Sequence, residues 1–546
     1  MKEFYNKHKR KIMLAAAVAI ALAVACITTG TYGIRYQSND DATIANIAAG
    51  AYGSDRLHMV YVNVLFGVLL QPFYSMHPAN WYVIVQLALA TVSTAVISYT
   101  LMKKAGLLCG GIITLAMLTA FAEPVYYTFQ YTECSFIVLS AGLILIIDNL
   151  GRINKNTIAG IALALLGTMI RWDVFYAVGG LSACLLIYKF FRLDTPGKKK
   201  AIATMIMLFA VTFSAKAVDV MAYKTDPAWK EYNRYNAART AYSDYKVYQL
   251  SGENPFRQYG ISDIDYTMLS YWNYYDGEKF TTELLEQISQ GNQQISASEL
   301  AEDTIDRIKY MMHGETYRYM FLLIVILSVV SLRLRWASVA MAGMYGVYGA
   351  LMTYLVYRMR ITSWVEMGLV WTVAVFALYC IAETGIKLPV NAVTMTAVLA
   401  AILYISLPVY RQLYIDYPNY VEWSKLEEPY MEAMSQDKEN LYLLATQSIS
   451  NAAGYDVLNP RGQDFFSNIV AYGGWLSRAP HRDAALAAYG LERPLVDAVD
   501  NPKVYLDYHY INEAVEYAKG QLGVEVYAVK TGSNAYAPYQ LVTELP

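Results

Sequence analysis

Two adjacent carboxylates, Asp40 and Asp41, follow shortly after the first apolar run, in the segment Ser38-Asn39-Asp40-Asp41. Neighbouring carboxylates can divide labour: one takes a proton from an attacking hydroxyl, and the other orients that hydroxyl or binds a cation. The same residues also suit a helix start. Asn39 or Asp40 would be the N-cap and Gly50 the C-cap of a helix over 41–49, and spacing alone favours that capping role. Arginine supplies a second kind of chemistry. Arg171, Arg358 and Arg360 fall, with Arg35 and Arg56, in connections that contain no lysine. A guanidinium forks onto phosphate and stays charged beside lipid, where an ammonium could lose its proton; arginines snorkelling at an interface would look the same. A third set could grip a sugar. Glu123 and Glu133 bracket Tyr126, Tyr127 and Tyr131, although an aromatic belt at a membrane surface explains the segment better. His58 precedes an apolar stretch and could sit near the Asp pair, yet a lone His is more often incidental. Asp173 is expected to pair with Arg171.

Several chemistries are excluded. Six histidines with no clustered ligands argue against a zinc centre. There is no Walker A loop, GxSxG elbow or Rossmann fingerprint, so ATP-driven transport and serine hydrolysis lack support. A net charge of −2 gives no basic field, and nucleic acid is not an expected partner. The five cysteines lie within or beside apolar runs with no CxxC pair, so neither disulfides nor a structural zinc are expected.

The elements that must position these residues are membrane helices. The 546-residue chain is 56% apolar and 16% charged, against about a quarter charged in a soluble protein. Its apolar runs of about 17–23 residues can each cross a hydrocarbon layer of roughly 30 Å. The expected fold class is an α-helical polytopic membrane protein with about eleven spans. They are placed at 12–30, 79–102, 105–122, 133–150, 156–171, 174–191, 201–221, 317–333, 336–357, 364–383 and 389–409. The first reads as a retained signal-anchor. Seventeen Lys and Arg fall in the connections of one side and five, all Arg, in the short loops of the other. That asymmetry puts the N-terminus in the cytoplasm and the C-terminus outside. The stretch from Met59 to Tyr74 would invert every later loop if it crossed, so it reads as an interfacial or re-entrant helix.

Four domains result. Residues 1–221 form an N-terminal transmembrane module whose first outer loop, 31–78, carries the Asp pair, and 222–315 form an extracytoplasmic α-rich insertion. Residues 316–409 are a second transmembrane module. Residues 410–546 are an extracytoplasmic α/β domain with strands near 440–446, 503–507 and 524–529 and a helix near 511–521.

An inward N-terminus, an outer Asp-Asp loop and an interfacial helix resemble the GT-C membrane glycosyltransferases, the class of the protein O-mannosyltransferases and lipid A aminoarabinose transferases. In particular, the chain is similar to polytopic glycosyltransferase-like proteins of Gram-positive anaerobes. The segments that carry this resemblance are the Asn39-Asp40-Asp41 loop, Tyr235-Asn236 to Arg239, Asp244-Tyr245 and Gly473-Gly474-Trp475. It implies that Asp40 and Asp41 are the acidic pair, with Asp41 the first choice of base. It also implies a polyprenyl-phosphate-linked sugar donor, an extracytoplasmic acceptor, and displacement with inversion at the plasma membrane. Arg171, Arg358 and Arg360 would bind the donor phosphate; His58, Glu123, Tyr127 and Glu133 would contact sugar or acceptor. There is no second acidic motif to fix a metal. No metal ligand is assigned and a divalent cation remains an open possibility. A flippase for a lipid-linked saccharide and a structural or sensory membrane protein are the competing readings.

Overall fold

In a bilayer every backbone N–H and C=O has to be satisfied within its own segment, which makes helices of the long apolar runs. The computed structural model describes residues 2–546 except 245–252, 291–295, 314–323, 327, 330–334, 359, 385–391, 446–455 and 534–536. Among the described residues, seven helices contain stretches long and apolar enough to cross a membrane. They are α1 (Lys2–Tyr32), α4 (Trp81–Ala105), α6 (Tyr131–Asp148), α8 (Trp172–Phe191), α9 (Thr195–Thr225), α14 (Arg335–Tyr357) and α15 (Ser363–Glu383). The expected spans 105–122 and 156–171 appear as shorter apolar helices, α5 (Leu107–Ala120) and α7 (Lys155–Ile170). The expected span 317–333 lies mostly outside the described residues. The span placed at 389–409 is the first half of the 45-residue α16 (Ala392–Gln436). That helix runs across the 409/410 boundary despite Pro408, Pro418 and Pro429. Met59–Tyr74 yields α3 (Val64–Met76), whose 13 residues span about 20 Å, too short to cross.

Burial sorts the bundle into centre and periphery. The apolar windows of α6 and α15 are each 94% buried, so these helices form the centre and need no polar face. In contrast, α8, α9 and α14 present Phe191, Ile206, Met221 and Val339 outward, as lipid-facing helices do. Helix α6 lies tight against α7: a Cβ at Gly142 would come within 2.7 Å of the Gly160 carbonyl oxygen. Only small residues permit that approach.

Outside the spans, β1 (Arg35–Tyr36) runs parallel to β2 (Thr128–Phe129), with Arg35 opposite Thr128. This pair draws the first and second loops together on one side of the bundle. Helix α2 (Asn39–Ala49) follows β1 directly. The segment after α9 folds into α10 (Pro227–Ser243), α11 (Asp263–Ser270), α12 (Thr282–Gln290) and α13 (Ala297–His313). The C-terminal unit is a five-stranded mixed sheet in the order β4-β3-β5-β7-β6. Its strands are β3 (Leu441–Leu444), β4 (Ile469–Ala471), β5 (Val504–Leu506), β6 (Tyr527–Lys530) and β7 (Tyr539–Val542). Tyr442 lies opposite Ile469 on one side and Tyr505 on the other, both parallel. Helices α17 (Pro480–Ala487), α18 (Pro494–Asp497) and α19 (Ile511–Leu522) complete it.

Candidate active site

The N-cap of α2 is Ser38, one residue before Asn39 and two before Asp40, and the helix is closed by Gly50 in the left-handed conformation (φ 89°). Asp41 is what ties this start down. Its Oδ2 accepts from the Ser38 hydroxyl at 2.6 Å and the Ser38 backbone N–H at 3.3 Å. Its Oδ1 accepts from the Tyr131 N–H at 3.0 Å, linking α2 to the first turn of α6. The side chain is fully buried, and burial pushes its pKa up to about 8 against these hydrogen bonds. Asp41, the expected base, therefore has both oxygens engaged and does not line the cavity described next.

Asp40, its neighbour, does. It lines a cavity of about 330 Å³ together with Tyr61, Arg239, Asp244, Arg360 and Trp475. These residues come from the loop after α2, from α10 and its C-cap, from the turn between α14 and α15, and from the loop after β4. The cavity thus opens at the ends of α1, α14 and α15 that share a side of the bundle. Burial and the charge of Asp244 push Asp40 above the usual carboxylate range, against the pull of a Trp475 hydrogen bond and of Arg239 and Arg171.

Asp244 is held the other way. Burial raises it, but the Arg239 and Arg360 guanidiniums, each 3.0 Å from one of its oxygens, outweigh burial and keep it below the usual range. Arg239 is itself fully buried and donates further to Asn236 Oδ1 (2.9 Å), Ser243 Oγ (3.1 Å) and the Tyr274 hydroxyl (3.4 Å). Those bonds fix it as a support for Asp244. Arg360 keeps 31% of its side chain exposed. The two cavity carboxylates do not make a cation cage, because Asp244 is already neutralised. Among the described residues no group of three or more His, Cys, Asp or Glu side chains comes together that could hold a metal ion.

Aromatic side chains form the walls. Trp272, Trp364 and Trp475 line the cavity with Tyr52 and Tyr61. Trp272 takes a left-handed φ of 63°, a conformation that costs a non-glycine residue about 1–3 kcal/mol. Two backbone bonds hold it: its N–H donates to the Leu269 carbonyl (3.1 Å), and its carbonyl accepts from the Gly474 N–H (2.8 Å). Tyr275 N–H donates to the Tyr472 carbonyl at 3.2 Å, so the segment after α11 is stitched to the loop after β4. Val60, beside Tyr61, is likewise left-handed (φ 66°) and donates its N–H to the Tyr223 hydroxyl at 2.7 Å.

The remaining expected site residues distribute unevenly. Arg360 reaches the cavity, whereas Arg171 stands behind its wall, 5.1 Å from the Tyr61 ring and hydrogen-bonded to the Tyr131 hydroxyl at 3.1 Å. It also pairs with Asp173 at 3.2 Å. Arg358 closes the last turn of α14 on the Tyr354 carbonyl and is not among the lining residues. His58 pairs with Asp55 at 2.8 Å and stacks on Trp229, away from the lining. Tyr127 donates to Asp416 of α16 at 3.0 Å, and Asp416 also pairs with Arg35 at 2.7 Å. Glu123 lies within the field of that half-buried pair. Glu133 is buried with neither oxygen hydrogen-bonded, against a void of about 10 Å³ shared with Trp371. None of these four acts on the cavity directly. Lys216 and Asp219, near the end of α9, form an ion pair at 2.8 Å with a structural role: Asp219 accepts from the Val64 N–H at 3.0 Å and so anchors α3 to α9.

Residues missing from the expected site are Arg239, Asp244, Trp272, Trp364, Trp475 and Arg482. Three of them, Arg239, Asp244 and Trp475, lie in the short segments that carry the family resemblance, which was the available signal; Trp272, Trp364 and Arg482 had none.

No protein-family model matches the chain, and no curated protein matches it. Two solved structures overlay on it: ArnT from Cupriavidus metallidurans bound to undecaprenyl phosphate and the same protein in the apo state. Both are 10% identical with a TM-score of 0.41; the first covers 97% of each chain, the second 96% of this chain and 97% of its own. At that distance the likeness carries no argument about chemistry, which the site's own geometry has to supply.

Proposed function

We propose that the protein is a membrane glycosyltransferase that moves a sugar from a polyprenyl-phosphate donor to an acceptor hydroxyl in the cavity above the bundle. The observation that carries this reading is the state of Asp40: among the described residues it is the one cavity-lining carboxylate outside an ion pair. Its pKa is raised, which brings a base nearer to the working pH.

In this mechanism the acceptor oxygen attacks the anomeric carbon while Asp40 takes its proton. The bond from the anomeric carbon to the phosphate oxygen breaks on the opposite face, so the configuration inverts. The polyprenyl phosphate leaves with the bonding electrons, and Arg360, with Arg171 behind Tyr61, stabilises the charge that develops there. Arg239 keeps Asp244 ionised and in place, and Asp244 keeps Arg360 aimed. The tryptophan walls offer faces for the CH surfaces of sugar rings. The lipid tail remains among the spans, the N-terminus faces the cytoplasm, and the insertion and α/β unit face outward at the plasma membrane.

The test uses membranes carrying the wild type, Asp40→Asn or Asp41→Asn, supplied with radiolabelled polyprenyl-phosphate sugars and total cell-envelope acceptor. Transfer should fall about 10²–10⁴-fold in Asp40→Asn and persist in Asp41→Asn. Full transfer by Asp40→Asn would refute the role given to that residue.

A further inference from the structure

Arg482 is a buried cation with no carboxylate partner among the described residues. It is only 5% exposed, yet it lines the same cavity as Asp40 and Arg360. Its Nη1 donates to the Phe466 carbonyl at a long 3.5 Å, and its guanidinium lies 4.8 Å from the Tyr52 ring centre. Other arginines near the site have acids: Arg239 and Arg360 share Asp244, Arg171 has Asp173, and the well-buried Arg461 forks onto Glu428. A guanidinium stays charged under any ordinary condition. Left unpaired out of water it destabilises the fold, and an apolar side chain of similar size would serve stability better. Burial already pulls Arg482 below the ordinary arginine range. The lining as a whole holds three guanidiniums against two carboxylates, so one positive charge waits for an anion.

Position says which anion. Arg360 and Arg171 stand at span ends, where a phosphate attached to a lipid tail has to stop. Arg482 belongs to α17 of the α/β unit and packs on Tyr52, beyond the C-cap of α2. It therefore lines the cavity from the α/β unit and not from a span end.

We infer that Arg482 receives an anionic group, phosphate or carboxylate, carried by the acceptor saccharide; this rests on the glycosyltransferase reading and names its acceptor as an acidic glycan. The guanidinium fork supplies two parallel donors that match either group, and the acid brings the counter-charge that the fold omits.

The test takes the purified full chain in nanodiscs, as wild type and as Arg482→Met, and measures binding calorimetrically. The probes are methyl glucuronide, glucose phosphate, neutral methyl glucoside and farnesyl phosphate. Either anionic sugar should bind the wild type about tenfold or more tightly than Arg482→Met, and methyl glucoside should not distinguish the two. Farnesyl phosphate should bind both proteins equally. The thermal midpoint of Arg482→Met should equal or exceed that of the wild type, since an unpaired buried charge has gone; an arginine with a merely structural role would lower it. Equal sugar binding by both proteins overturns the inference, and so does a wild type that binds neither anionic sugar. Loss of farnesyl phosphate binding alone overturns it too, because Arg482 would then serve the donor. If anionic sugars bind through Arg482 while farnesyl phosphate binds neither protein, the saccharide site stands and the lipid-donor reading is what fails.

Discussion

Replacing Asp41 by Asn should flatten the pH dependence of stability while leaving the helix start in place. Asp41 is fully buried with a pKa of about 8, whereas the unfolded chain releases that proton near 3.9. Between those values the folded chain binds a proton that the unfolded chain has lost, so each rise in pH favours unfolding. The slope approaches about 1.4 kcal/mol per pH unit, and across the whole window the group removes about 5–6 kcal/mol of stability. That contribution is intact below about pH 4 and gone above about pH 8. Asn cannot ionise and keeps the shape: its carbonyl can accept from the Tyr131 N–H and its amide can donate to the Ser38 hydroxyl, with only the longer bond from the Ser38 N–H given up. Thermal unfolding in detergent from about pH 5 to pH 9 should show the wild type losing stability faster than Asp41→Asn. Ala at this position leaves the Tyr131 N–H unpaired and should cost about 1–3 kcal/mol for that donor, with about 1 kcal/mol more for the lost cap. Parallel wild-type and Asn curves, or a wild type that gains on the Asn variant as pH rises, would refute the account of Asp41 as a protonated structural group.

Two more expectations can be checked on the same preparations. Arg239→Ala leaves Asp244 buried with Arg360 as its remaining cation, and should destabilise by about 3–5 kcal/mol in thermal unfolding; an unchanged midpoint would show that Arg239 does not hold the site together. Asp276, which accepts from Arg493 at 2.7 Å and the Tyr517 hydroxyl at 2.8 Å, joins the segment after α11 to the α/β unit. Burial raises Asp276, but those partners outweigh it and hold its pKa below the usual value, so its contribution is present above about pH 4 and lost as pH falls through the lower folded value. Asp276→Asn should therefore cost about 1.5–3 kcal/mol at neutral pH and little at strongly acidic pH, as read by limited proteolysis of the α/β unit across that range.

Much of the architecture was legible because it follows from local composition. Length and hydropathy give the long spans, since nothing but a helix satisfies the backbone in lipid. Three strands and the helix near 511–521 were visible from their alternating patterns and turn residues. Strands β4 and β7 were not, being defined by their neighbours in the sheet. The run from Ala392 gave no sign of continuing to Gln436, because prolines usually end helices; contacts such as Asp416 with Arg35 hold it.

The candidate site divides along the same line. The sequence by itself determined that a carboxylate pair follows the first span, that the connections holding Arg35, Arg56, Arg171, Arg358 and Arg360 contain no lysine, and that no nucleotide-binding motif is present. Those facts depend on residue type and order. Which Asp faces the cavity depended on one helical residue of rotation: the Ser38 cap and the Tyr131 N–H turn Asp41 inward and leave Asp40 outward. Likewise Arg239, Trp272, Arg360 and Arg482 are scattered through 244 positions of chain and become neighbours only when the segment after α9 and the α/β unit close over the ends of the spans. Charge pairing is a property of that closure. It takes Asp244 out of play, leaves Arg482 without an acid, and cannot be read from any single stretch of sequence.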